Sequence, residues 1–165
     1  MKPVTHVRPA VPGDIPRILE IEREAEAAAH FSEADYQRAL GSDNTEAEVR
    51  RIVLVAGTPE LVQGFLVARF LHEEWEIENV AVTKGVRRLG FGARLVGTFL
   101  QLSICSTKRI ENSRAEAEAV FLEVRESNLA ARRLYEKFGF TIAGSRTAYY
   151  RNPEEDAILY RYSFQ

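Results

Sequence analysis

The sequence is poor in three residue types, with one cysteine, one methionine and one tryptophan among 165 residues. A single cysteine, Cys105, excludes an internal disulfide framework and a cysteine-rich zinc site. It reads as a small buried apolar residue, and no metal is expected. No stretch of about 18 uncharged apolar residues occurs, so no membrane-spanning helix and no membrane partner are expected. The opening "MKPVTHVRPAVPGD" lacks the apolar core of a secretory signal. A cytoplasmic location is the expectation. There is also no excess of either charge: 22 Lys and Arg stand against 24 Asp and Glu, a formal net of −2. That argues against sequence-blind nucleic-acid binding, so an anion site, if present, must be local.

What is present suffices to fold. Hydrophobic residues make up 45% and charged residues 28%, ordinary for a soluble globular chain. With no linker, repeat or low-complexity tract, residues 1–165 are expected to form a single domain.

The apolar pattern changes period along the chain. "VTHVR" reads as a short strand closed by Pro9. Asp14 is expected to cap a helix through "IPRILEIEREAEAAA", and Ser32 a second, "EADYQRAL", with Asp35 completing a capping box and Gly41 ending it. "RIVLVA", "LVQGFLVARFL" and "EWEIENVAV" read as three strands of an antiparallel meander, turning at "GTPE" and "HEE". "GARLVGTFLQLSICS" then has helical spacing, carried by Leu95, Phe99 and Leu102. The charged "TKRIENSRAEAEA" (107–119) reads as an exposed loop or a solvated extension, and "VFLEV" as a buried strand. Ser127 is expected to cap "NLAARRLYEKF", with Gly139 as its left-handed stop. Two strands, "FTIAGS" and "DAILYRYSF", close the chain around the loop "RTAYYRNPEE".

The densest chemical signal lies between the third meander strand and the following helix. In "TKGVRRLGFGARL" (83–95), Arg87, Arg88 and Arg94 suggest an anion, and Gly90 and Gly92 suggest close approach to the backbone. The first amides of a helix have no intrahelical partner and carry a partial positive charge, so a phosphate fits there if no side chain intervenes. A P-loop would need Lys-Ser or Lys-Thr where Ala93-Arg94 stands, and a dinucleotide fingerprint a small residue in place of Leu95. A glycine-rich turn with solvated arginines remains the alternative reading.

Arg87, Gly90 and Gly92 between a strand and a helix, together with "LEVRESNLAARRLYEKFGF", a Tyr-Tyr pair and "EEDAI", resemble the GNAT superfamily of N-acetyltransferases. Within it the chain resembles the RimI branch, the ribosomal-protein-alanine N-acetyltransferases. The resemblance runs from "HVRPAVPGDIPRILEIE" to "EDAILY". It implies an α/β fold with a mixed, mostly antiparallel sheet of six to seven strands, about four flanking helices, and a splay between strands four and five. It further implies acetyl-CoA as co-substrate, its pantetheine on the backbone of Val80, Ala81 and Val82, its pyrophosphate on the amides from Arg88 through Leu89, Gly90, Phe91 and Gly92 to Ala93, and Asn128 bonding the cofactor arm. Leu89 stands where the family usually has a third basic residue.

Acetyl transfer to an amine needs a base to take the amine proton and an acid for the departing thiolate. Glu123 sits in an apolar strand, where burial would raise its pKa. Pairing with an arginine such as Arg125 or Arg133 is the structural alternative. Tyr135, by spacing, is a core tyrosine on a helical stripe with Ala131 and Phe138. The resemblance implies that Glu123 is the general base and Tyr135 the general acid, with Glu76 and Glu78 as rival bases. It also implies that Tyr149, Tyr150 and the loop from Ala28 to Tyr36 border the acceptor, although packing is an equal reading for either ring. His30 and His72 read as surface and turn residues.

An α-amine has a pKa of about 7.7–8.0 against about 10.4 for lysine, so a carboxylate base suits an N-terminus better. The RimI resemblance implies the N-terminal alanine of a small-subunit ribosomal protein, with no nucleic acid, and a monomer or weak dimer. A lysine, a polyamine or another small amine is the alternative acceptor, and a non-catalytic acyl-CoA-binding domain the alternative class.

Overall fold

The computed structural model describes residues 5–25, 29–41, 50–108 and 117–164. One seven-stranded sheet, in the order β1-β2-β3-β4-β5-β7-β6, organises them. The strands are β1 (His6–Pro9), β2 (Arg50–Gly57), β3 (Val62–Leu71), β4 (Glu74–Val82), β5 (Ala119–Arg125), β6 (Thr141–Tyr150) and β7 (Glu155–Ser163). The helices are α1 (Ile15–Glu24), α2 (Glu33–Leu40), α3 (Phe91–Lys108) and α4 (Leu129–Lys137). Every neighbouring pair is antiparallel except β4 and β5, which are parallel. This is the mixed sheet expected from the sequence.

The antiparallel meander forms as its pattern requires. The β3–β4 turn places His72 and Glu73 both at positive φ, 48° and 66°, the twist that matches two right-handed strands. Pro9, expected to close β1, is its last residue, opposite Leu54. An edge strand tolerates it because its missing N–H has no ladder to serve on one side.

Two apolar layers cover the sheet. On one face α1 and α2 bury Ile15, Ile18, Ile21 and Tyr36 against Val53, Val55, Phe65 and Val67. On the other, α3 and α4 bury Phe91, Leu95, Phe99 and Tyr135 against Leu54, Leu66, Leu122 and Tyr160. A side chain the size of Leu95, fully enclosed, contributes about 1.5–3 kcal/mol by leaving water. Leu102 is exposed, and Ser103 takes the inward position, its hydroxyl donating to the Leu100 carbonyl at 2.8 Å. The stripe therefore turns away from the spacing that Leu102 suggested.

Helix ends follow local chemistry with two changes. Ser32 and Asp35 form the capping box of α2 as expected. Asp14 does not cap α1. Its carboxylate accepts from the Val11 amide at 2.8 Å and pairs with Arg8 at 2.7 Å, so it fixes the 3-10 turn before the helix. On α4 the cap is Asn128 rather than Ser127, its Oδ1 accepting from the Ala131 amide at 3.2 Å. Ser127 instead gives its amide to Glu155. Gly139 follows α4 at φ +94°, the left-handed stop that its sequence position predicted.

No described helix is long and apolar enough to cross a membrane. The Cys105 side chain, Ala28 and most of the charged segment 107–119 lie outside the described residues.

Candidate functional site

The site begins with an irregularity in β4. Its pairing with β3 runs Val67↔Asn79 and then Ala68↔Ile77, which leaves Glu78 as an extra residue, a β-bulge. One extra residue reverses which side chains face which layer. Below the bulge Trp75 and Ile77 join the α3/α4 layer, and above it Ala81 joins the α1/α2 layer while Val80 and Val82 turn to α3.

Pairing between β4 and β5 ends at the same level. Glu74, Trp75, Glu76 and Ile77 face Ala119, Val120, Phe121 and Leu122, and no pair follows. Both strands continue, to Val82 and to Arg125. The sheet therefore splays, and β4 from Glu78 to Val82 keeps a strand neighbour on the β3 side only. Val80, Ala81 and Val82 lie along this open stretch.

At its upper end the chain passes through a 3-10 turn at Lys84–Val86 into α3. Arg88 and Gly90 both have positive φ, 64° and 89°, and α3 begins at Phe91. The first helix-type bond is Arg94 N–H to the Gly90 carbonyl at 3.0 Å. The amides of Phe91, Gly92 and Ala93 therefore come before the intrahelical ladder, as at any helix start. The Leu89 amide is already given to the Val86 carbonyl at 3.3 Å, so the available amides are not one continuous run from Arg88 to Ala93. A Cβ on Gly90 would meet nothing within 4 Å, whereas one on Gly92 would come within 3.3 Å of Leu134. Gly90 is thus required by its backbone angle, whereas a side chain at Gly92 would press on Leu134 of α4.

The basic residues diverge. Arg87 Nε reaches the Val82 carbonyl at 3.4 Å, Arg88 is exposed, and Arg94, grouped with them in the sequence, turns away to the Thr5 carbonyl at 3.1 Å. Leu89 is 63% exposed beside the turn. The glycines, free amides and nearby Arg87 and Arg88 fit a pyrophosphate group.

Glu123 is the first β5 residue beyond the last pair with β4. Its neighbours Leu122 and Val124 are buried in the α3/α4 layer, so its carboxylate projects from the opposite face. There it meets a cation: Arg146 Nε lies 2.6 Å from Oε1, with side-chain exposures of 59% for the arginine and 14% for the glutamate. The Tyr149 hydroxyl also donates to Glu123, and that bond is the main reason its phenol lies above the ordinary range. The carboxylate is therefore not isolated in an apolar strand. Its arginine partner is neither Arg125, which pairs with Glu155 at 3.4 Å, nor Arg133.

Tyr149 and Tyr150 belong to β6 rather than to a loop. Their rings meet edge to face at 5.1 Å, and Arg125 stacks 4.3 Å from the Tyr150 ring centre. Burial, then the charge of Glu123, pushes the Tyr150 phenol up to about 12.

Tyr135 approaches from the other layer. It is buried, with Phe140 at 5.7 Å and Tyr160 at 6.4 Å. Burial raises its pKa above the ordinary phenol value, with a smaller contribution from Tyr150. Tyr135 thus senses Tyr150, and Tyr150 senses Glu123. Tyr135 lies within the α3/α4 layer, whereas Glu123 projects from the opposite face of β5.

The rival carboxylates are held by arginines. Glu78, in the bulge, is clamped by Arg51 at 2.9 and 3.2 Å, with Arg69 3.6 Å away. Glu76 accepts from Arg69 Nε at 2.7 Å. Of the histidines, His72 is in the turn and His30 is exposed. Among the described residues no group of three or more His, Cys, Asp or Glu is arranged to hold a metal.

Two features escaped the sequence reading. Arg146 gave no local signal, since its pairing with Glu123 crosses β7. Glu22 did give one: it lies four positions after Ile18, on the apolar face of α1, and is 2% exposed.

The comparisons with known proteins agree with this architecture. The profile of the acetyltransferase (GNAT) family matches residues 15–140. An N-alpha-acetyltransferase of Sulfurisphaera tokodaii is 30% identical over 151 residues, covering 88% of this chain and 86% of that protein. An uncharacterised Mycobacterium leprae protein is 29% identical over 147 residues, but the chain spans only 38% of its length. The solved ribosomal-protein-S18-alanine N-acetyltransferase of Escherichia coli superposes with a TM-score of 0.78 at 25% identity, covering 97% of this chain and 94% of that one. The family match extends over most of the chain, from α1 to the end of α4, and includes the bulge, the splay and the glycine turn: this protein belongs to the GNAT family and is an N-acetyltransferase.

Proposed function

We propose that the chain, as one acetyltransferase domain, moves an acetyl group from acetyl-CoA to the N-terminal α-amine of a protein, the N-terminal alanine of a small-subunit ribosomal protein being the preferred acceptor. The observation that supports this reading is the splay of β4 from β5 beside the glycine turn, with Glu123 just beyond the last β4–β5 pair, in a chain similar to N-alpha- and ribosomal-protein-alanine N-acetyltransferases.

Val80, Ala81 and Val82 would hold the pantetheine arm along the open edge of β4. Arg87, Arg88 and the amides of Gly90, Phe91, Gly92 and Ala93 would hold the pyrophosphate, and Asn128 the cofactor arm. Leu89 contributes its exposed side chain but not its amide. Bound acetyl-CoA supplies an activated acetyl thioester.

Glu123 takes the proton from the acceptor ammonium, directly or through one water. Arg146 and Tyr149 fix the carboxylate's orientation while it does so. Tyr135, kept protonated by burial, gives its hydroxyl proton to the departing thiolate. A phenol raised above its usual pKa is a weaker acid than a thiol, so Tyr135 assists departure less than Glu123 assists attack. Tyr149 and Tyr150 form the acceptor-side wall. The amine's own pKa of about 7.7–8.0 brings its neutral form within reach of a carboxylate base, as lysine's does not.

Acetyl-CoA turnover against N-terminal Ala, Ser and Met peptides, an N-terminally blocked peptide with an internal lysine, and spermidine tests the assignment. The expected result is acetylation of the Ala peptide at its α-amine and none of the blocked one. Turnover confined to lysine or spermidine would keep the acetyltransferase and remove the α-amine reading.

A further inference from the structure

The most enclosed carboxylate among the described residues takes no part in the chemistry above. Glu22 is 2% exposed and accepts three hydrogen bonds from three different segments. The Tyr36 hydroxyl of α2 donates to Oε1 at 2.8 Å, the Asn79 amide of β4 to the same oxygen at 3.0 Å, and the Phe31 backbone amide to Oε2 at 3.2 Å. Asn79 Nδ2 also donates to the Ala29 carbonyl at 2.9 Å.

A buried ionised group is costly unless its acceptor sites are filled, and removing one donor leaves the rest poorly compensated. Such a network therefore favours one arrangement of the segments that supply it. Here those segments matter. Asn79 lies one residue after the bulge and one before Val80, at the root of the open stretch of β4. Ala29 and Phe31 flank exposed His30, in the connection between α1 and α2. Burial and then the Glu22 bond raise the Tyr36 phenol, so it remains a donor at any physiological pH. Its ring is held edge to face by Phe31 at 5.8 Å and Phe65 at 6.3 Å.

We infer that Glu22 is a positioning residue for acceptor recognition: with Tyr36 and Asn79 it ties the α1–α2 connection to the splayed part of β4, which sets the acceptor side of the site without touching the acyl donor. This rests on the acetyltransferase reading of the splay, though not on which amine is the acceptor.

Glu22→Gln and Tyr36→Phe test it. Gln replaces an acceptor oxygen with a donor facing donors, and Phe removes one hydroxyl while keeping the ring. Both variants are expected to raise the KM for whichever panel acceptor the wild type uses by about tenfold, with kcat and the directly titrated acetyl-CoA affinity within about twofold. Hydrogen exchange at the Phe31 amide is expected to accelerate in both, a readout independent of turnover. Equal weakening of acceptor and acetyl-CoA, or an unchanged acceptor KM alongside a lowered thermal midpoint, would reduce Glu22 to a packing role. If the wild type acetylates lysine or spermidine, the α-amine assignment fails, whereas the KM split measured with that acceptor still decides this inference.

Discussion

The lower and upper parts of β4 share one strand and do different work. From Glu74 to Ile77 it is hydrogen-bonded into the sheet on both sides, and Trp75 meets Phe99 edge to face at 5.5 Å in the α3/α4 core. From Glu78 to Val82 it has β3 on one side and no strand on the other. One bulged residue separates them. An exposed strand edge is ordinarily an aggregation hazard. Here Val80 and Val82 pack toward the α3/α4 core while the edge between β4 and β5 stays unpaired, an arrangement that would suit an extended ligand. The bulge at Glu78 divides a part of the strand that stabilises the fold from a part that is kept available.

Substitutions on the two sides of that division should separate. The largest effect is expected at the opening itself, where Glu123→Gln should lower kcat by about 10²–10⁴ through loss of the base, with acetyl-CoA affinity retained. Rates within a few-fold of wild type would move the base elsewhere, to Glu76 or Glu78. Next is the closed part. Trp75→Ala removes a 3% exposed ring and should cost about 3–5 kcal/mol of stability, read by denaturant titration. A loss below about 1 kcal/mol would mean that the lower strand is not the anchor described here.

Tyr135→Phe should lower kcat by about 10–100-fold, a smaller share of general acid–base assistance than that of Glu123. Because burial raises this phenol, its protonated form persists beyond the usual value of about 10, so the wild-type rate should show no alkaline loss assignable to Tyr135 below that pH. A fall between pH 8 and 9.5 that disappears in Tyr135→Phe would contradict the burial argument. Gly90→Val should then weaken acetyl-CoA binding about tenfold, since φ +89° is strained for a β-branched residue. Unchanged affinity in a calorimetric titration would detach the turn from the cofactor.

The smallest effect belongs far from the splay. The hydrogen bond from Arg8 holds the Asp14 carboxyl below its ordinary range. A depressed carboxylate contributes stability above its unfolded pKa of about 4 and loses it as pH falls through the lower folded value. Urea titrations at pH 5 and pH 2.5 should therefore show a larger loss in wild type than in Asp14→Asn. The acetyl-CoA affinity of Asp14→Asn at neutral pH should match wild type, and an altered affinity would mean that the edge strand communicates with the splay.

Much of this division was legible in the sequence, and the illegible parts share a cause. "EWEIENVAV" has the bounds of β4, and it alternates from Glu74 to Glu78 before losing that period at Asn79. That break at Glu78 and Asn79 coincides with the bulge, although the pairing it skips is set by β3. The glycine turn could be read because Gly90 needs its positive φ, whereas what a side chain at Gly92 would meet, Leu134, lies on another helix. "RTAYYRNPEE" looked like a loop because its Arg, Asn and Pro hide the strand carrying Tyr149 and Tyr150. The environment of Glu123 was misjudged for a related reason. The apolar residues around it in "VFLEV" suggested isolation, yet Arg146 reaches it from two strands away. Glu22 was the one missed residue with a usable signal, a carboxylate on the buried stripe of α1.

The most direct test of the division is hydrogen exchange along β4 with and without acetyl-CoA. Binding in the splay should slow exchange between Glu78 and Val82 and leave Trp75–Ile77 as it was. Protection spread evenly along the strand, or absent above Glu78, would contradict the claim that the opening beyond the bulge is where this acetyltransferase holds its acyl donor.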